Sequence, residues 1–220
     1  MRETYHEQLQ QLVDDLVAMS HFVGIAISRA TESLLEADLN LAEQVIAADD
    51  ELNSIDHQLE ERCLDISALQ QPVATDLRMV MSALRMSSSL ERMGDLAAHV
   101  AKQTRLRYPA HAIPDELRDT FAEMGRAASA VAEKTGEVIA TRDLELAGEI
   151  ERHDDTMDRL HRELFSIVLA PTWSHGVEAA IDVTLLSRYY ERFADHAVNV
   201  TRQVVHVTTG EPYSSSPSQL

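Results

Sequence analysis

Residues 87–103 read SSSLERMGDLAAHVAKQ, and residues 187–203 read SRYYERFADHAVNVTRQ. A shift of 100 positions superposes Ser87 on Ser187, Glu91 on Glu191, Arg92 on Arg192, Asp95 on Asp195, Ala97 on Ala197, Val100 on Val200 and Gln103 on Gln203. A match this long marks a duplicated unit. Within it, Glu91/Asp95 and Glu191/Asp195 stand four residues apart, so on a helix each pair projects from one face about one turn apart.

Outward from these stretches the pattern is helical. From Glu3 to about Glu36 there is no proline, and Leu9, Leu12, Val13, Leu16, Met19, Val23, Ala26 and Ile27 recur at spacings of three and four. Asp38 and Asn40 supply stop-and-restart chemistry, and Asn40 with Glu43 has capping-box spacing. A second helix follows to about Gln70, where Pro72 ends it. The third runs from near Ala74, with Thr75 or Asp76 as its cap, to about Arg107. The prolines of YPAHAIP (108–114) place a domain boundary, and Pro114 suits the first turn of a fourth helix. Thr141–Asp143 separates that from a fifth, ending near Ala170 before Pro171, and a sixth spans about Val177 to Thr209. The expected fold is all-α: two tandem, duplicated antiparallel three-helix bundles over residues 1–108 and 109–209, with a disordered polar tail over 210–220.

Composition narrows the function. The 220 residues carry 19 basic against 37 acidic side chains, a formal charge of −18. Such a chain gains nothing from phosphate counterion release, so direct nucleic-acid binding is not expected. Cys63 is the only cysteine, which excludes internal disulfides and Cys-rich zinc sites and fits a reducing cytoplasm. The most apolar early run, Leu16–Ser28, contains His21 and is too short to span a bilayer, so no direct membrane insertion is expected. Phosphate-cradling glycine loops, nucleophile elbows and HExxH motifs are missing, so the chain reads as a non-enzyme.

Helices two and five carry a second repeated feature. A shift of 105 positions places Asp49, Asp50 and Asn53 on Asp154, Asp155 and Asp158. Each repeat therefore has oxygen pairs on two helices, a donor set suited to a hard cation or to iron or manganese. The competing reading is a solvated face, with Arg92 pairing Asp95 and Arg188 pairing Glu191. His99 and Asn199, four residues beyond Asp95 and Asp195, extend the ligand stripe, although His57, His99, His153 and His196 read first as ordinary surface or boundary residues. Met79, Met81, Met86 and Met93 read as core filler, and Trp173 as packing.

Asp49 with Asn53, Cys63, the run QQPVATDLR (70–78), LERMGD (90–95) and YERFADHA (190–197) with Asn199 together resemble the PhoU family of phosphate-signalling proteins. The resemblance covers the chain to about Thr209. It implies paired three-helix bundles whose acidic motifs bind metal, commonly as multinuclear iron or zinc centres on the bundle surface, with Glu91, Asp95, Glu191, Asp195, Asp49, Asp154 and Asp158 as candidate ligands; manganese remains the further candidate that the donor set suits. It also implies a cytoplasmic regulator, often a homodimer, that links the ATPase subunit of a phosphate ABC transporter to a sensor histidine kinase and restrains uptake and starvation signalling when phosphate is plentiful. Departures from the family pattern are Ser89 and Tyr189 where an additional Asp is common, Ala194 for the usual Gly, and Asn53 for a charged ligand. A carboxylate-bridged di-metal, ferritin-like bundle is the alternative, although Glu3-x-x-His6 is the single Glu-x-x-His that reading can cite.

Overall fold

The computed structural model describes residues 2–211, without the side chains of residues 2–4 and 152–154. Every regular element among the described residues is helical: α1 (Arg2–Glu36), α2 (Leu39–Gln70), α3 (Ala74–Arg107), a 3-10 turn (Asp115–Leu117), α4 (Arg118–Thr141), α5 (Leu144–Val168) and α6 (Gly176–Thr209). Within each half the three helices pack on one another. Equivalent helices then meet across the middle, α1 on α4 and α3 on α6, while α2 and α5 touch only the helices of their own half. One continuous apolar core runs through both halves. The tail expected over 210–220 lies, from residue 212 on, outside the described residues.

The duplication extends to packing. Burial along residues 81–104 recurs residue for residue along 181–204, except that His99 is exposed where Asn199 is half-buried. α3 and α6 each have three helical neighbours, which is why they are buried on most of their circumference. Met79, Met86 and Met93 fill the core as expected, but Met81 is 46% exposed, as is its counterpart Ile181 at 52%. That register faces away from all three neighbours. Trp173 packs against the core edge and donates its indole N–H to the Gly176 carbonyl at 2.8 Å.

The α1–α4 contact is close because its residues are small. A Cβ on Gly125 would fall 2.4 Å from Thr31 Cγ2. Thr31 is held there by Oγ1 bonds to the Ile27 carbonyl and the Tyr190 hydroxyl, both at 2.7 Å, and Tyr190 is fully buried beside Phe121. Between α3 and α6, the buried Asp182 carboxylate accepts from Gln103 at 2.6 Å and from Arg107 at 2.6 and 3.0 Å. A buried carboxylate is stable in this setting only because it is fully paired.

The caps differ from the sequence reading. Asp38, in extended backbone, is the N-cap of α2 and accepts from the Leu41 amide at 3.0 Å, whereas Asn40 already lies inside the helix. An Asx cap needs non-helical φ/ψ, which only Asp38 has here. α3 begins after Val73 without a side-chain cap; Asp76 is engaged by the Tyr5 hydroxyl at 2.9 Å and Thr75 by Arg78 at 3.1 Å. The fourth helix starts at Arg118, after the 3-10 turn that follows Pro114.

α1 is longer than the apolar run within it. Over Tyr5–Glu36 it meets the length and composition of a membrane span. One apolar stripe is nonetheless committed to the core, with Leu12, Leu16, Met19, Val23 and Ile27 fully buried, while Ile25 is exposed. Burial against α3 and α4, rather than lipid, satisfies that stripe.

Candidate metal centre

The two acid pairs face the flanking helices. On the first side, Glu91 and Asp95 of α3 approach Asp49 and Asp56 of α2 closely enough that Asp95, Asp56 and Asp49 all act on Glu91. Burial first, then Asp95, raises the Glu91 carboxyl above its ordinary value; burial and Asp95 do the same to Asp49. The close approach of α2 is what Gly94 permits, since a Cβ there would meet Leu52 Cδ2 at 2.2 Å and Asp49 Oδ1 at 3.3 Å.

On the second side Asp158 of α5 acts on both Glu191 and Asp195 of α6. Burial, then Asp195, pushes the Glu191 carboxyl up to about 7, and burial raises Asp195 as well. The Asp154 side chain lies outside the described residues. Glu191 and Asp195 retain 12% and 19% side-chain exposure, Glu91 and Asp95 21% and 25%. These are rim positions reached from solvent and not the bundle core, the placement a ferritin-like site requires.

Arginines meet part of this charge. Arg92 reaches Asp95 at 2.7 Å and Glu91 at 3.6 Å; Arg188 pairs with Glu191, and Arg192 lies 3.8 Å from Asp195. The solvated-face reading therefore has its ion pairs. It leaves unexplained one carboxylate oxygen in each cluster, Asp49 Oδ1 and Glu191 Oε2, which is shut off from solvent without a hydrogen-bond donor. An orphaned buried carboxylate oxygen is costly, and a cation relieves that cost together with the mutual repulsion. Among the described residues, no three His, Cys, Asp or Glu side chains converge tightly enough to complete a ligand set. The donors that crowd each other are Asp49, Glu91 and Asp95 on one side and Asp158, Glu191 and Asp195 on the other.

Sequence reasoning missed Asp56 and His161. They are equivalent under the 105-residue shift and make equivalent contacts: Asp56 accepts from Ser87, and His161 Nδ1 lies 2.9 Å from Ser187 Oγ. The change of residue type hid the correspondence. His99 lies beside the site: its Nδ1 is 2.6 Å from the Asp95 carbonyl and its ring packs on Tyr189. Asn199 lines the α3–α6 cleft with Ser88 and Ser89. Cys63 is buried, its thiol pushed up to about 11 by burial, and is no ligand in this state.

Comparison with known proteins gives the family of the chain. A model of the PhoU domain matches residues 16–104 and again 121–204. Over 210 residues, 96% of the chain, it is 50% identical to the phosphate-specific transport system accessory protein PhoU homolog 2 of Mycobacterium bovis, of which 99% is covered. It is also 50% identical over 210 residues to PhoU homolog 1 of Mycobacterium leprae, covering 96% of this chain and 95% of that protein. The crystal structure of PhoU from Pseudomonas aeruginosa superposes with a TM-score of 0.83 at 26% identity, covering 94% of this chain and all of the other.

Proposed function

Because this chain belongs to the PhoU family, we propose that it is a regulatory accessory protein of phosphate transport that acts by binding rather than catalysis. The observation carrying this reading is 50% identity, across nearly the whole length of both chains, to proteins named as phosphate-specific transport system accessory proteins. Its place is the cytoplasm, as a homodimer docked on the ATPase subunit of the phosphate ABC transporter and on a phosphate-sensing histidine kinase. It holds both in their restrained states when phosphate is plentiful. The net charge of −18 favours basic patches on those partners and makes the contacts salt-sensitive. A preference for one conformational state of each partner is what converts binding into regulation.

The acid clusters are proposed as cation sites that set this docking surface. On one side Asp49, Glu91 and Asp95 would hold an ion, and on the other Asp154, Asp158, Glu191 and Asp195, the described donors of each side drawing closer together around it. Iron, manganese and zinc suit the carboxylate donors. The bound ion supplies charge neutralisation, and the orphaned oxygens Asp49 Oδ1 and Glu191 Oε2 support the fit.

The test is removal of the gene from a host that carries it, followed by complementation. The expected result is phosphate uptake and starvation-promoter activity that stay high in phosphate-rich medium and return to the restrained level with the wild-type copy. Unchanged regulation after deletion, in a strain without a second copy of the family, refutes the reading.

A further inference from the structure

The halves diverge at one pair of equivalent places along the α3–α6 contact. In one, the Tyr189 ring packs on His99 with centroids 5.3 Å apart, and Gln103 donates to Asp182 at 2.6 Å. The groove is filled. At the equivalent place, 100 residues shifted, Tyr189 is replaced by Ser89, His99 by Asn199 and Asp182 by Ser82, while Gln203 stands for Gln103. The result is an open cleft of about 790 Å³.

The cleft is lined mostly by polar residues and carries a guanidinium. Arg85, Ser88, Ser89, His196, Gln203 and His206 line it, and no carboxylate among the described residues does, although the chain carries 37 of them. Arg85 and His206 stand where the filled groove has Leu185 and Leu106. Gln203 is only 4% exposed, yet its Oε1 has no hydrogen-bond partner, and neither does the buried Nδ1 of His196. Such orphans are rare in a settled core and mark a place where a partner is missing. The side-chain amide of Gln203 also presents donors once its O and N exchange places, an assignment set by its surroundings.

We propose that this cleft binds a tetrahedral phosphate group, either inorganic phosphate or the phosphoryl end of a nucleotide. A guanidinium, the His196 imidazole, the Nε2 of His206 (its Nδ1 being held by the Glu211 carbonyl), two hydroxyls and two amides are the donor set that recognises such an oxyanion. No residue lining the cleft is itself a candidate cation ligand, although His196 adjoins Asp195, and phosphate binding there does not require partner docking.

The experiment is calorimetric titration of the metal-depleted full chain with inorganic phosphate, with ADP and with sulfate. Wild type is expected to bind phosphate or ADP saturably, one per chain, and the tighter of the two identifies the source. Two variants copy the filled groove, Ser89→Tyr/Asn199→His and Arg85→Leu. Each is expected to weaken binding by at least about tenfold, the scale of one lost charge-assisted contact, with an unchanged helical circular-dichroism spectrum. Arg85 is exposed, so Arg85→Leu decides the matter if the double variant fails to fold. Absence of saturable phosphate and ADP binding, or binding undiminished by Arg85→Leu, overturns the proposal.

Discussion

Replacing Glu191 by Gln should stabilise the metal-free protein at pH 8 and leave it unchanged near pH 4. Burial and the neighbouring Asp195 raise this carboxyl from an ordinary value of 4.5 to about 7 in the folded chain. Below pH 4.5 it is protonated whether folded or not, so it costs nothing. Above pH 7 it is ionised in both states, and the fold bears the full penalty of burying the charge among other acids. At about 1.36 kcal/mol for each tenfold change in proton affinity, that penalty approaches roughly 3 kcal/mol, and solvent at the rim of the site trims it to about 1–3 kcal/mol. The loss of the Arg188 pair in the variant is included in that lower figure. For a chain of this size the gain corresponds to roughly 3–10 °C in melting midpoint. The assay is thermal unfolding of wild type and variant in chelator from pH 4 to 8. The wild type must fall behind the variant progressively between pH 4.5 and 7. A variant less stable than wild type at pH 8, or a difference independent of pH, refutes the picture of crowded and uncompensated carboxylates.

Gly125→Ala should destabilise by about 1–3 kcal/mol, the usual cost of overpacking, because its Cβ would meet three atoms of Thr31 within 2.9 Å and Thr31 is tied to Ile27 and Tyr190; denaturant unfolding reads the loss. Asp38→Ala should cost about 1 kcal/mol as a lost N-cap, while Asn40→Ala leaves the midpoint within error, and the reverse order would restore Asn40 as the cap.

The helices were legible because the chain announces their faces and their ends. Apolar residues recur with the helical period, and Pro72, Pro114 and Pro171 interrupt it where chain direction changes. The duplication was legible because the buried residues of α3 and α6 answer to the same three-neighbour geometry. What escaped depends on tertiary placement. The competition between Asp38 and Asn40 is settled by backbone angles that spacing does not specify. Met81 has the composition of a core residue, but its register points away from α1, α2 and α6. Asp56 was hidden because its equivalent is His161, and the two are recognisable as a pair only once both are seen against Ser87 and Ser187. The acid pairs were visible in sequence; the orphaned oxygens of Asp49 and Glu191 that set them apart from ordinary surface ion pairs were not.

The most direct measurement is elemental analysis of the protein purified without affinity tag or chelator, beside the Glu91→Ala/Glu191→Ala variant. The account predicts stoichiometric iron, zinc or manganese in the wild type and its loss from a variant that retains the helical fold. A well-folded wild type free of metal, or a variant that keeps its full metal content, contradicts the assignment of the carboxylate clusters as cation sites.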